Sequence, residues 1–209
     1  MTTTTSRRNR WPFALAGLAA SAWAFFLLPP QLKVWATDGA MPPWIRQLSD
    51  LPVYDGLRAA ADGAGLTDHY ALFGAAVAPS LLLLAVALRP ATRTLGILGA
   101  LLHWVTLLTA LVVVVSYVTH ALPAPWNSLW GAEALGLALM GLLAIACGVV
   151  ALLRRMRPTW PAVMLALLLP VTVAGTVLFG YWPHGSLVLM GIWLAIIALG
   201  WPETVPGRR

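Results

Sequence analysis

Runs of about 20 nearly unbroken apolar residues recur along the whole of this 209-residue chain, and a helix of that length crosses the hydrocarbon core of a bilayer. Inside lipid every backbone amide and carbonyl must be satisfied within the spanning structure, which for such runs means helix. The spacing predicts six spans, at about Trp11 to Leu28, Tyr70 to Leu88, Leu95 to Val118, Leu129 to Leu153, Trp160 to Tyr181 and Leu187 to Trp201. No stretch is left that can build a soluble domain. The expected fold class is therefore all-α and integral to a membrane: one transmembrane domain over residues 1–209, packed as a six-helix bundle. The first span follows Arg7, Arg8 and Arg10 as a secretion signal would, but no small-residue cleavage site precedes Pro29 and Pro30, so it is read as retained. The same prolines are expected to end that helix.

Charge sets the orientation. Only 10% of the residues are charged, well below the roughly one quarter usual in soluble proteins, and the basic ones sit in short clusters between apolar runs. That clustering argues against a nucleic-acid partner, which needs a continuous basic face. Arg7, Arg8 and Arg10, then Arg89 and Arg93, then Arg154, Arg155 and Arg157, then Arg208 and Arg209 all fall on one side of a six-span arrangement. The opposite side has Lys33, Arg46 and Arg58, five aspartates and Glu133. Since arginine and lysine are retained in the cytoplasm, both termini are expected inside a cytoplasmic membrane, with the long loop 31–68 outside. Within that loop Trp44, Ile45, Leu48 and Leu51, then Val53, Tyr54, Leu57 and Ala61, recur at helical spacing, so two short amphipathic helices are expected on the membrane surface.

The lone cysteine, Cys147, lies in an apolar run, which excludes an internal disulfide and reads as a small buried side chain. Tryptophans 11, 35, 126, 130, 160, 182 and 201 fall at span ends as an interfacial belt, whereas Trp23, Trp104 and Trp193 lie deeper. His103 is the one side chain ionisable near neutral pH that sits well inside a span, which speaks against an ion-driven carrier. It begins a polar stripe with Thr106, Thr109, Ser116, Tyr117 and His120, either a packing face or the wall of a cavity. Pro79 and Pro170 are expected to kink spans two and five, with Thr172 and Thr176 satisfying carbonyls around Pro170. Gly136, Gly141 and Gly148 admit a close neighbour to span four.

The candidate chemistry lies where span ends meet outside. His69 opens span two, His120 closes span three, Glu133 opens span four, and Tyr181 and His184 follow span five. A histidine beside a carboxylate is equipment for general acid/base work; three histidines with a carboxylate also suit zinc, and two opposed histidines a haem. No HExxH, CxxC pair or glycine-rich phosphate loop is present, so neither a cofactor nor a reaction is fixed by the sequence. Three readings stand. In the first, the chain is an enzyme or binding protein for a lipid or other apolar small molecule reached from the outer half of the bilayer. His69, His120, Glu133 and His184 would then be catalytic, and His103, Trp104, Tyr181 and Trp193 would line the pocket. In the second, it is a non-catalytic accessory or scaffold subunit bound to a membrane-protein partner or to copies of itself. In the third, it is a small pore, for which too few spans carry a continuous polar face.

Overall fold

In the computed structural model, residues 9–36 and 41–202 are described; Arg7, Arg8, Asp38, Arg208 and Arg209 lie outside the described residues. The described residues are helical, with no strand. In chain order the helices are α1 (Trp11–Trp35), α2 (Pro43–Ser49), α3 (Pro52–Gly63), α4 (His69–Ala75), α5 (Ala78–Ala87), α6 (Arg89–Thr92), α7 (Gly96–Thr119), α8 (Ala132–Leu153), α9 (Trp160–Ala166), α10 (Leu168–Phe179) and α11 (His184–Gly200), with a 3₁₀ turn at Trp126–Leu129 before α8. Four stretches are long and apolar enough to cross a membrane: α1, α4 with α5, α7, and α8 with its preceding turn. A fifth qualifies if α9 and α10, bent by 59° at their junction, count as one broken span. The 17-residue α11 is apolar but short, about 26 Å at the helical rise against a core of roughly 30 Å.

The first helix corrects the expectation drawn from its prolines. It does not stop at Pro29 but runs on through Pro30 to Trp35, so Gln31 and Leu32 belong to helix rather than loop. Two consecutive prolines delete two backbone donors, yet this turn is the best packed in α1. Leu28 and Leu32 bury against Ile45 of α2 and Tyr181, and the Gln31 amide nitrogen donates to the Tyr181 hydroxyl at 2.8 Å. Tertiary contact outweighs the local penalty.

The interior is organised on α1 and α11. They cross where Gly17 meets Gly191: a Cβ on Gly17 would lie 2.7 Å from the Gly191 carbonyl oxygen, so only hydrogen fits. One turn away the Ser21 hydroxyl donates to the Val188 carbonyl at 2.8 Å, fixing the register. From this seam α5 flanks α1 and leads to α7, while α10 flanks α11 and leads to α8, and α7 and α8 pack together to close the ring. The glycines of α8 serve neighbours in the same chain, with Gly136, Gly141 and Gly148 facing Thr109, Leu169 and Ala162. Cys147 is buried.

Both broken helices lean on a tryptophan. The α4–α5 junction at Ala76 and Val77 precedes Pro79, and the Trp23 indole N–H of α1 donates to the Ala76 carbonyl at 2.7 Å. The α9–α10 junction at Leu167 precedes Pro170, and the Trp193 indole of α11 donates to the Met164 carbonyl, also at 2.7 Å. Thr172 donates to the carbonyl of Leu168, two residues before Pro170, as expected, whereas Thr176 donates to that of Thr172 further along α10. At each break the indole adds a donor to a carbonyl beside the junction, and Met164 accepts the Leu167 amide as well at 3.1 Å.

Like charges gather by end. At one end the Trp201 indole donates to the Thr94 hydroxyl at 2.9 Å and Arg154 to the Thr94 carbonyl at 3.4 Å, while Arg10 and Arg157 line one groove with Trp201. At the other end Lys33 pairs with Asp50 at 2.8 Å, which ties the foot of α2 to α1, and Arg58 pairs with Asp55 along α3. The lysine holds the exposed Asp50 carboxyl below its ordinary value, first through the hydrogen bond and then through its charge. Burial of Tyr54 beneath α3 raises its phenol above the usual range.

Candidate functional site

The aspartate end contains most of the residues singled out from the sequence, sorted into three layers of different chemistry. The deepest is a set of phenols. Tyr117 of α7 and Tyr181 of the α10–α11 turn, both buried, bring their hydroxyls to 3.2 Å, and Tyr181 also accepts from Gln31. The Tyr70 ring lies 5.2 Å from Tyr117, and its hydroxyl accepts from the Trp130 indole at 3.0 Å. Trp35 covers the group, with its ring 5.7 Å from Tyr70 and 6.2 Å from Tyr181. Five elements therefore converge on one aromatic cap. The sequence offers Tyr181 as a pocket-lining residue, Tyr117 as part of the polar stripe and Trp35 and Trp130 as interfacial anchors, but gives no sign that they meet; the available signal is a tyrosine or tryptophan at each converging helix end.

The second layer contains the buried members of the predicted set. The Glu133 carboxylate, in the first turn of α8, accepts the Ser116 hydroxyl of α7, whose oxygen in turn accepts the Gly131 amide at 2.8 Å. The backbone of Gly131 is in the left-handed region at φ 85°, which lets the chain turn sharply into α8 beside that serine. Glu133 thus pins α8 to α7. His184 is wholly buried; its Nε2–H donates to the Phe73 carbonyl at 3.3 Å, because a carbonyl can only accept, and Nδ1 has no hydrogen-bond partner. Its ring lies 5.4 Å from Tyr181, so His184 borders the phenol cluster.

The third layer faces outward and contains two histidine–aspartate pairs. His69 at the start of α4 meets Asp62 of α3 at 2.9 Å. His120 at the end of α7 lies with Nε2 3.6 Å from Asp68 Oδ2. Its Nδ1–H donates to the Tyr117 carbonyl at 2.7 Å, which fixes the ring with Nε2 toward Asp68. Asp68 is held in turn by its other oxygen, which caps α4 by accepting the Ala71 amide at 2.9 Å. Beside this pair an apolar groove of about 440 Å³ runs between α4 and α7, lined by Leu66, Ala71, Leu72, Ala75, Ala76 and Val118, with Asp68 at its mouth.

The four residues expected to act together do not bond to one another. No hydrogen bond or ion pair joins any two of His69, His120, Glu133 and His184, and the described residues contain no group of three histidine, cysteine, aspartate or glutamate side chains placed to hold a metal. The carboxylate partner of His120 is Asp68 rather than Glu133. Of the expected pocket-lining residues, Tyr181 is buried in the phenol cluster, Trp193 caps the α9–α10 break, and His103 borders a small groove with Arg89 and Arg93 at the opposite end. Trp104, 67% exposed on the outer face of α7, lines that same open groove beside His103. The stripe on α7 is a packing face in its lower half, where Thr106 and Thr109 are buried and donate to the carbonyls of Leu102 and Val105. It becomes an interhelical polar face only at Ser116 and Tyr117. Comparison with known protein families, curated proteins and solved structures gives no match.

Proposed function

We propose that this chain is a six-span protein of a cytoplasmic membrane that binds a lipid or similar apolar molecule from the outer half of the bilayer, with His120 and Asp68 at the polar end of the bound molecule. One observation carries the reading: Asp68, the carboxylate partner of His120, lines an apolar groove of about 440 Å³ together with Leu66, Leu72 and Val118. A fixed Nδ1–H, a free Nε2 and a carboxylate that stabilises the imidazolium form an acid/base unit, and a ligand hydroxyl or ester oxygen beside Asp68 is within its reach. The buried Glu133 and His184 act as supports in this reading. Together with the phenol cluster they hold the five converging elements at the mouth.

The topology rests on the gathering of Arg10, Arg154, Arg157 and Trp201 at one end and Asp50, Asp55, Asp62 and Asp68 at the other. With α9–α10 as one bent span and α11 as a short sixth, both termini are cytoplasmic.

Full-length protein in nanodiscs, titrated with a pyrene-labelled diacylglycerol, tests the reading. Saturable binding is expected, abolished by Ala71→Trp, which fills the groove, and weakened by about tenfold in His120→Phe, the loss of one good polar contact. Non-saturable partitioning that ignores both variants would end the proposal. A second reading, a non-catalytic accessory subunit, is favoured by the divergence of the histidines: His69 points to α3 and His184 into the core. It predicts a stoichiometric partner after gentle detergent extraction.

A further inference from the structure

The arginine end has its own groove, which the reading above leaves without a role. It encloses about 710 Å³ between the start of α1, the α8–α9 turn and the end of α11, and is lined by Arg10, Trp11, Arg157, Trp160, Trp201 and Asn9 among others. Its walls are built rather than incidental. The Trp160 indole packs against Gly200, where an added Cβ would stand 1.8 Å from the ring. Trp201 is fixed by its bond to Thr94. Two guanidinium groups enter this space, no described residue in the lining is acidic, and neither arginine forms an ion pair among the described residues. The Arg10 Nε is buried without an acceptor.

Two unneutralised guanidinium groups in one recess repel each other and call for an anion with several oxygens; the guanidinium fork matches a phosphate in geometry as well as charge. Three indoles around it place the recess at headgroup depth, where an amphipathic ring prefers to lie. Exposed Leu15 and Leu199 continue the wall toward the bilayer core and offer a surface for acyl chains. We infer that this groove is a binding site for the phosphate of an anionic phospholipid, held by Arg10 and Arg157 and framed by Trp11, Trp160 and Trp201.

Native mass spectrometry of the full-length protein, released from micelles containing phosphatidylglycerol or phosphatidylcholine, reads the site. Phosphatidylglycerol is expected to be retained over phosphatidylcholine, with retention falling about tenfold in Arg10→Gln/Arg157→Gln and staying within about twofold in Arg154→Gln/Arg155→Gln, whose arginines lie outside the groove. Gly200→Leu, which unseats Trp160 but leaves every charge, is expected to lower retention as well, provided it elutes as a single species of native size. Millimolar inorganic phosphate is expected not to displace the lipid; displacement would overturn the assignment to a lipid headgroup in favour of a free anion. Equal losses in the two arginine pairs would overturn the site, since only net charge would then matter. So would retention that appears only in Glu203→Gln, because the chain's own carboxylate would then be the occupant.

Discussion

Replacing Ser116 by alanine tests whether Glu133 is a support or a reacting group. The Ser116 hydroxyl is a hub: it donates to the Glu133 carboxylate and accepts the Gly131 amide at 2.8 Å. Deleting one oxygen removes a hydrogen bond to a carboxylate, worth roughly 1.5–3 kcal/mol, and a neutral one worth roughly 0.5–1.5 kcal/mol. Both orphaned partners stay in place, and Glu133 is only 6% exposed, so water replaces little of what is lost. The expected destabilisation is about 2–4 kcal/mol. Reversible unfolding in mixed micelles of increasing sodium dodecyl sulfate fraction, followed by far-ultraviolet circular dichroism, measures it. Ser116→Ala/Glu133→Leu should cost less than the sum of the single variants, with a coupling of roughly 1–2 kcal/mol, because once the carboxylate is gone the serine has less to hold. A loss below about 0.5 kcal/mol for Ser116→Ala, or strict additivity in the cycle, would refute the view of Glu133 as the pin between α7 and α8.

Other outcomes follow from the same geometry. Gly17→Val drives a side chain into the Gly191 carbonyl at the α1–α11 crossing and should cost about 3 kcal/mol or more in the same unfolding assay, against well under 1 kcal/mol for Gly56→Ala, where a Cβ meets nothing within 4 Å. Trp193→Phe removes the donor to Met164 and should cost roughly 1–2 kcal/mol, whereas Trp104→Phe, on the exposed face of α7, should stay within about 0.5 kcal/mol. Lys33→Met should return the Asp50 pKa toward 3.8, seen by carboxyl-carbon resonance titration. Since that pKa is depressed in the folded protein, the Lys33–Asp50 tether is intact above the ordinary aspartate range and is lost only as pH falls through the lowered value. Single cysteines placed at Arg155 and Asp62 in a Cys147→Ser background should react with membrane-impermeant reagent from opposite sides of intact cells; labelling of both from one side would contradict the proposed topology.

What was legible in the sequence was whatever depends on neighbours along the chain. Apolar runs located the long helices, although α1 overruns its expected end by seven residues and the second and fifth runs each fold as two helices, and helical spacing located the two short helices over the aspartate end. Proline 29 misled because the rule counts a missing donor and cannot see that Leu28, Gln31 and Leu32 gain partners on α2 and at Tyr181. His69, His120 and His184 lie toward one end, but their partners depend on distances across the bundle. The order of span ends offers Glu133 to the histidines as a group, yet the folded chain turns Glu133 to Ser116 and brings Asp68 to His120. Likewise nothing local reveals that Trp23 and Trp193 serve carbonyls on other helices, since the position of each break becomes known only once the helix has bent.

The crossing of α1 with α11 has a consequence in time. Helix α1 leaves the ribosome before α11, so the face of α1 with Gly17 and Ser21 waits for its partner while all the intervening helices are made. During that interval Met164 at the α9–α10 break also lacks the indole that later caps it. Between first and last helix the intermediate has an open seam flanked by small residues, a surface to which another helix in the membrane can dock. A chain cut short before Gly191 is therefore expected to be a substrate for membrane proteolysis rather than a slightly weakened version of the same bundle.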